Sequence, residues 1–274
     1  MPVPAQNQQY ENFIIRYKQN THGGFDYESD ETFQIVNDLF GILYVPMQEV
    51  PELELSSYSY SSIPRCYTYM DTGALSTSGV TRLHNHPYLK LQGKGTLVAV
   101  IDSGIDYLHP AFHNGVQSKI FSIWDQTLEG GADGRIPFGR EFGRQQIEQA
   151  LASENPWEIV PSSDTNGHGT RSAATAAGYR IEKDNFCGAA PEAEIVIVKL
   201  KQAKNYLRDF YLLPRDIDIF QEDDIMLAIS YVLFIAQEQQ MPLSICIGLG
   251  TSMGAHQGEG PLNEYINSIA AFTQ

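Results

Sequence analysis

The chain is poor in the residue types that announce several common functions. It has three cysteines, Cys66, Cys187 and Cys246, far apart and odd in number. Neither a disulfide framework nor a zinc-ligand pattern can be written from them. Cys187 and Cys246 lie in apolar stretches and read as small core residues. Cations are scarce: 18 Lys and Arg face 33 Asp and Glu, a formal net charge of −15. Nucleic-acid binding, which needs clustered Lys and Arg to neutralise phosphates, is disfavoured, and the acidity is read as serving solubility. No apolar run reaches membrane-spanning length. The start, Met1-Pro-Val-Pro-Ala-Gln-Asn7, lacks the basic and apolar regions of a secretory leader, which favours a cytoplasmic or otherwise unexported location. His84, His86, His109 and His113 read as scattered loop histidines rather than as a helical metal-binding pair.

What is present is organised in two parts. Residues 10–50 read as a small α+β unit: Phe13–Tyr17 as a strand, Glu31–Leu39 as a helix by spacing, and Phe40–Pro46 as a second strand. Residues 51–95, rich in Ser, Tyr, Pro and Gly, form a connector too long for a simple turn, and such segments usually have a function. From Thr96 onward the pattern changes. Leu97–Ile101 is a continuous apolar run, the mark of a strand buried on both faces of a parallel sheet. Strands are expected at Ile120–Trp124, Ala193–Lys199 and Leu243–Ile247. Helices are expected near 144–152, at Thr170–Gly178, at Asp223–Gln239 as an amphipathic helix, and at Leu262–Phe272. This alternation predicts an α/β sandwich with a mainly parallel sheet.

Chemistry concentrates in two segments. Asp102 follows the apolar run directly, at the strand's carboxyl end, where open α/β sheets collect functional groups. Gly104 permits a sharp turn beyond it. His168 stands between Gly167 and Gly169, which are expected to leave its imidazole accessible, with Thr170 able to cap the following helix. Each alone is weak: an Asp at a strand end often only terminates it, and a loop histidine often has no task. Together they supply the base half of a charge-relay triad, a carboxylate holding Nδ1 of an imidazole whose Nε2 can take a proton. Asp before His before Ser is one of the chain orders such triads adopt.

At these residues the chain resembles the subtilisin-type (subtilase) serine proteases. Val98-Ala-Val-Ile-Asp102-Ser-Gly-Ile-Asp-Tyr-Leu-His109-Pro110 resembles the family's aspartate motif, and Asn166-Gly-His168-Gly-Thr170 its histidine motif. Gly188-Ala-Ala-Pro191 and the strand after it follow in the family's order, and Ile245-Cys-Ile-Gly248-Leu-Gly250 stands where the family has its Ser-Leu-Gly strand. The Tyr-rich lead-in, Leu91-x-Gly93-Lys-Gly95 and Gly254-x-His256-x-Gly258 resemble clostridial Csp-type germination proteases. The resemblance implies a subtilisin-like three-layer sandwich, incomplete at its C-terminal side. Residues 1–80 would be a propeptide-like region and connector, and 81–274 the N-terminal part of the catalytic domain. It further implies that Asp102 orients His168, that Asn166, Gly248, Leu249 and Gly250 hold a peptide or protein substrate, and that the chain's own propeptide region enters the cleft as an inhibitor.

The nucleophile does not fit the pattern. Gly250-Thr-Ser252-Met-Gly254 mimics the family's Gly-Thr-Ser-Met-Ala signature, but it comes too soon after His168, sits directly behind a strand, and lacks the proline that usually follows. Ser252 is therefore read as a decoy, and the nucleophilic Ser and the oxyanion Asn are expected beyond residue 274. A sheet cut at that point is expected to leave an apolar edge that favours aggregation or pairing. The rival is a catalytically inactive pseudoprotease with a binding or regulatory role in germination. A third reading takes Ser252 as a real nucleophile in a compact hydrolase. No cofactor is called for. Asp216, Asp218, Glu222, Asp223 and Asp224 invite comparison with the calcium sites of many subtilases, but match no EF-hand loop and read better as a solvated helix N-terminus.

Overall fold

The computed structural model describes residues 3–17, 32–50, 53, 58–69, 84, 88, 91–131, 135–184, 186–254 and 257–272. Three sheets organise the chain. The first is antiparallel, in the order β1-β3-β2, from β1 (Tyr10–Arg16), β2 (Phe33–Ile35) and β3 (Phe40–Pro46). The helix expected over Glu31–Leu39 is absent: Phe33–Ile35 is extended, and Glu31 lies outside the described residues. The missed signal is Asn37, whose side chain accepts the N–H groups of Leu39 and Phe40 and turns the chain into β3.

The second sheet has the order β10-β5-β8-β6-β7. Its strands are β5 (Leu97–Asp102), β6 (Ile120–Asp125), β7 (Arg140–Gly143), β8 (Glu194–Lys199) and β10 (Leu243–Ile247). The first four in spatial order run parallel, and β7, which the sequence did not suggest, is antiparallel to β6. All six residues of β5 are buried, as a strand covered on both faces requires. The register places Asp102 beside Lys199, and Asp125 on the other side of Lys199. Ile247 pairs with Ile101, so Gly248 emerges next to Asp102. Strand ends carrying charge are thus gathered at one edge.

On one face of this sheet pack α1 (Arg144–Leu151), α2 (Pro156–Ile159) and α3 (His168–Ala177), with Ile147, Ala150, Ala173 and Ala177 against Val98, Val100 and Ile197. On the other lies α5 (Glu222–Gln239), its Ile225, Leu227, Ile229, Val232 and Ile235 in one cluster with Leu97, Ala99 and Val196. That cluster also contains Ile14, Phe40, Ile42 and Tyr44 of the N-terminal sheet. A sheet therefore lies on each side of α5. The expected amphipathic helix is instead buried from Glu222 through Ile229 without a break, because two apolar surfaces claim it. Helix α4 (Asn205–Phe210) precedes α5 and α6 (Pro261–Phe272) follows β10.

The third sheet is small and antiparallel, in the order β11-β4-β9, from β4 (Cys66–Tyr69), β9 (Phe220–Gln221) and β11 (Leu249–Gly250). Its middle strand comes from the connector. Cys66-Tyr-Thr-Tyr69, aromatic and β-branched, carries a strand signal that the surrounding Ser and Pro obscured. Among the described residues no helix is long and apolar enough to cross a membrane. The three cysteines are free; Cys66 is buried, whereas Cys187 and Cys246, expected in the core, are half-buried. Cys246 lies on β10, which among the described residues pairs only with β5.

Candidate active site

Two backbone segments touch at the centre of the site. Beyond β5, Gly104 adopts φ +124°, and a side chain there would press on Ser163 O and Lys199. In the first turn of α3, a side chain at Gly169 would collide with Gly104 O. With neither side chain present, the α3 N-terminus settles onto the β5 turn. That approach puts His168 Nδ1 at 2.7 Å and 2.9 Å from the two oxygens of Asp102. With its proton on Nδ1, the imidazole donates to the carboxylate and turns Nε2 outward. Asp102 is fully buried, and its Oδ1 also accepts Ser103 N–H at 2.7 Å.

Asp164 fixes the helix that carries His168. Its Oδ2 accepts both Thr170 N–H (2.8 Å) and Thr170 Oγ1–H (2.7 Å), and its Oδ1 accepts Ser103 Oγ–H (2.8 Å). Burial pushes the Asp164 carboxyl up, but hydrogen bonds from Thr170, Ser103 and Gly167 outweigh it and hold the group below its ordinary range. The N-cap is Gly167 in the left-handed region, and the capping carboxylate is Asp164, so Thr170 is not the cap. Asp164 lies two residues before the histidine motif; an acid six residues before the first helical turn's Thr was the available signal.

His168 is 8% exposed rather than accessible. The connector covers it: Tyr69 stacks on the imidazole with ring centroids 4.4 Å apart. Around Tyr69, the expected substrate-binding residues come together. Leu249 and Gly250 pair with Tyr69 and Thr68 as an antiparallel strand. A side chain at Gly248 would lie 2.7 Å from Asp102 Oδ2 and 3.0 Å from His168 Cε1, so only glycine fits against the pair. Asn166 Nδ2 donates to the Tyr69 hydroxyl, while its Oδ1 accepts His168 N–H at 2.8 Å. Tyr69 and Asp218, which also accepts from Asn166 Nδ2 at 2.8 Å, were not singled out from the sequence as contacts to this site.

Ser252 sits elsewhere in the groove. Ser252 lies two residues beyond the end of β11. It lines a cavity of about 500 Å³ with Cys66, Tyr67, Leu213 and Ile217.

Of the five acids, Asp216 is exposed and Asp218 half-buried, but the helix start is not solvated. Glu222, Asp223 and Asp224 are buried. Glu222 accepts the N–H groups of Arg65 (3.1 Å) and Leu262 (3.2 Å). Asp223 accepts Asn12 Nδ2–H at 2.5 Å and Gln221 Nε2–H at 2.9 Å, and Asp224 pairs with Lys201 at 2.5 Å. Their oxygens are committed to protein donors and do not fit a calcium site; no group of three or more metal-ligating side chains occurs among the described residues. Instead the cluster holds the N-terminal sheet. Lys204 Nζ, buried, donates to Pro4 O (2.8 Å), Tyr10 O (3.0 Å) and Asn12 Oδ1 (2.6 Å).

A fold with an acid at the end of a parallel strand, paired to a histidine on the next helix, matches one protein family over this stretch. The Subtilase family model matches residues 93–211, and through that region the chain is similar to the subtilisin-like serine proteases. In structure and sequence it is similar to the Clostridium perfringens CspB protease, at 30% identity and a TM-score of 0.56, covering 69% of this chain and 36% of that one. Curated relatives from Arabidopsis thaliana include the subtilisin-like protease SBT1.4, 30% identical over 125 residues (39% of this chain), and SBT1.9, 28% identical over 142 residues (46%). The matched stretches span only 16% and 18% of those two proteins.

Proposed function

We propose that this chain supplies a pro-region and the Asp–His part of the active site of a subtilisin-type serine endopeptidase. The observation that carries this reading is the pairing of His168 with buried Asp102 beneath a peptide strand, β4, held between β9 and β11. Asp102 fixes the tautomer and steadies the imidazolium. His168 Nε2 takes the proton of a serine hydroxyl as it attacks the scissile carbonyl, then returns it to the leaving amine. Gly248, Leu249 and Gly250 receive the substrate backbone as an added strand. In this reading residues 1–80 are the pro-region, and Cys66–Tyr69 occupies the cleft in the manner of a substrate, with Lys204 and Glu222 fastening the unit in place. In this reading the nucleophile is a serine other than Ser252, expected beyond residue 274.

The test is self-processing. The polypeptide encoded by the native reading frame should be cleaved shortly after Tyr69, as read by N-terminal sequencing, and should label with a serine-reactive fluorophosphonate. His168→Ala should abolish the cleavage, while Ser252→Ala should leave both cleavage and labelling intact. An uncleaved, unlabelled wild-type protein would favour the pseudoprotease with a binding role, and loss of labelling in Ser252→Ala would restore Ser252 as nucleophile.

A further inference from the structure

The side chain of Tyr69 enters a slot with a defined chemistry. One wall is the His168 imidazole, at 4.4 Å between ring centroids, and the other is the edge of Phe220, at 5.5 Å. At the far end, the Tyr69 hydroxyl donates to Asp218 Oδ2 at 3.1 Å and accepts from Asn166 Nδ2. Asp218 is held in place from behind. Gln202 Nε2 donates to its Oδ1 at 2.7 Å, which leaves Oδ2 to the phenol and to Asn166 Nδ2 (2.8 Å). Gln202 Oε1 in turn accepts from Arg208 at 2.8 Å and from Ile219 N–H at 3.0 Å. Arg208 is buried and anchored on the carbonyls of Pro214 (2.8 Å) and Ile217 (3.0 Å). Thr68 Oγ1 donates to Asp218 O at 3.2 Å, so backbone and side chain of the same residue grip successive positions of the strand.

We propose that the slot formed by His168, Phe220, Asp218 and Asn166 is a tyrosine-selective subsite, so that peptides entering this cleft carry tyrosine at the position occupied by Tyr69. This rests on the reading of β4 as a strand in a substrate cleft and adds which side chain that cleft selects. The ring supplies stacking against imidazole; the hydroxyl supplies a hydrogen bond to a carboxylate, stronger than one between neutral groups. Phenylalanine keeps the first and loses the second. Because Asp218 is half-exposed, water replaces part of the lost bond, and the discrimination is about tenfold rather than the several powers of ten of a fully buried site.

The experiment uses the 274-residue chain. Tyr67→Gly with Tyr69→Gly opens the cleft, and fluorescein-labelled peptides of the 64–71 sequence, with serine for cysteine, are titrated by anisotropy with Tyr, Phe or Ala at the 69 position. The expected result is Tyr tighter than Phe by about tenfold, Ala weaker still, and the Tyr–Phe gap erased by Asp218→Ala. Equal binding of the Tyr and Phe peptides overturns the selectivity while leaving the cleft reading intact. The intact chain gives a second measurement, hydrogen exchange of the 66–69 amides. If no peptide binds but those amides are protected, Tyr69→Phe decides: exchange faster by about tenfold supports the subsite, and unchanged exchange overturns it. If no peptide binds and the amides are unprotected, the cleft reading itself fails.

Discussion

Two of the regions of this molecule that bury charge do so by different means. At the Asp102–His168 pair, a strand end and a helix start meet through glycines, and the partners lie 66 residues apart. Every residue needed belongs to a short local motif. At the Lys204–Asp223–Asp224 cluster, the partners of Lys204 and Asp223 include Asn12, 192 and 211 residues away. No local pattern marks them. The first arrangement holds an imidazole against the β4 strand. The second fastens one unit of the chain to another by satisfying buried polar groups that would otherwise be costly. Buried charge alone therefore does not mark the site of chemistry; what distinguishes the pair is an imidazole edge turned towards the cleft.

The largest expected effect tests that distinction directly. Asp102→Asn should reduce self-processing of the native-frame polypeptide by about 10⁴, because the imidazole loses its tautomer and its countercharge, while the fold persists. Processing rates followed by gel over time, with circular dichroism as the control, decide it. Lys204→Met should do the reverse. It orphans three acceptors in the N-terminal unit and should destabilise the chain by about 3–5 kcal/mol in urea unfolding.

The same cluster should shape the response to pH. Burial, helped by neighbouring Lys201, lowers the Lys204 amine from 10.5 to about 7. Burial raises the Asp224 carboxyl from 3.8 to about 7 against the pull of Lys201. Between 3.8 and about 7 the native state holds the extra proton on Asp224, so stability falls as pH rises. Between about 7 and 10.5 the unfolded chain holds the extra proton on Lys204, so stability rises with pH. Unfolding free energies measured across this range should pass through a trough near neutrality, and Lys204→Met should flatten the alkaline limb.

The smallest effects separate the two glycines beside His168. Gly169→Ala drives a methyl group into Gly104 O and should cost about 1–3 kcal/mol, with loss of processing as the pair is forced apart. Gly167 has φ +77° but open space around it. Asn tolerates that conformation, so Gly167→Asn should change the melting free energy by less than about 1 kcal/mol. Equal costs at the two positions would mean that conformation, not close approach, sets the geometry.

Legibility followed the range of the interactions. The buried strand ending in Asp102, the small-residue helix behind His168 and the alternation from Thr96 onward were readable because each depends on near neighbours in sequence. Glu31–Leu39 misled because its spacing suits a helix, while pairing with β3 holds Phe33–Ile35 extended and Asn37 turns the chain. The acids at 222–224 misled for a deeper reason: an acidic helix start is normally solvated, and only the arrival of Arg65 and Asn12 from distant segments makes it an interior. Tyr69 lay unmarked in a connector whose composition suggests no fixed structure.

The sequence by itself determined the parallel α/β architecture, the subtilase likeness and the identity of the Asp–His pair, since local pattern and short motifs encode them. Only the tertiary structure decided that a connector strand lies over His168, that Asp218 and Asn166 meet its tyrosine, and that α5 is buried from two sides. Those depend on which surfaces meet, and contacts across some two hundred residues leave no periodic trace in the chain.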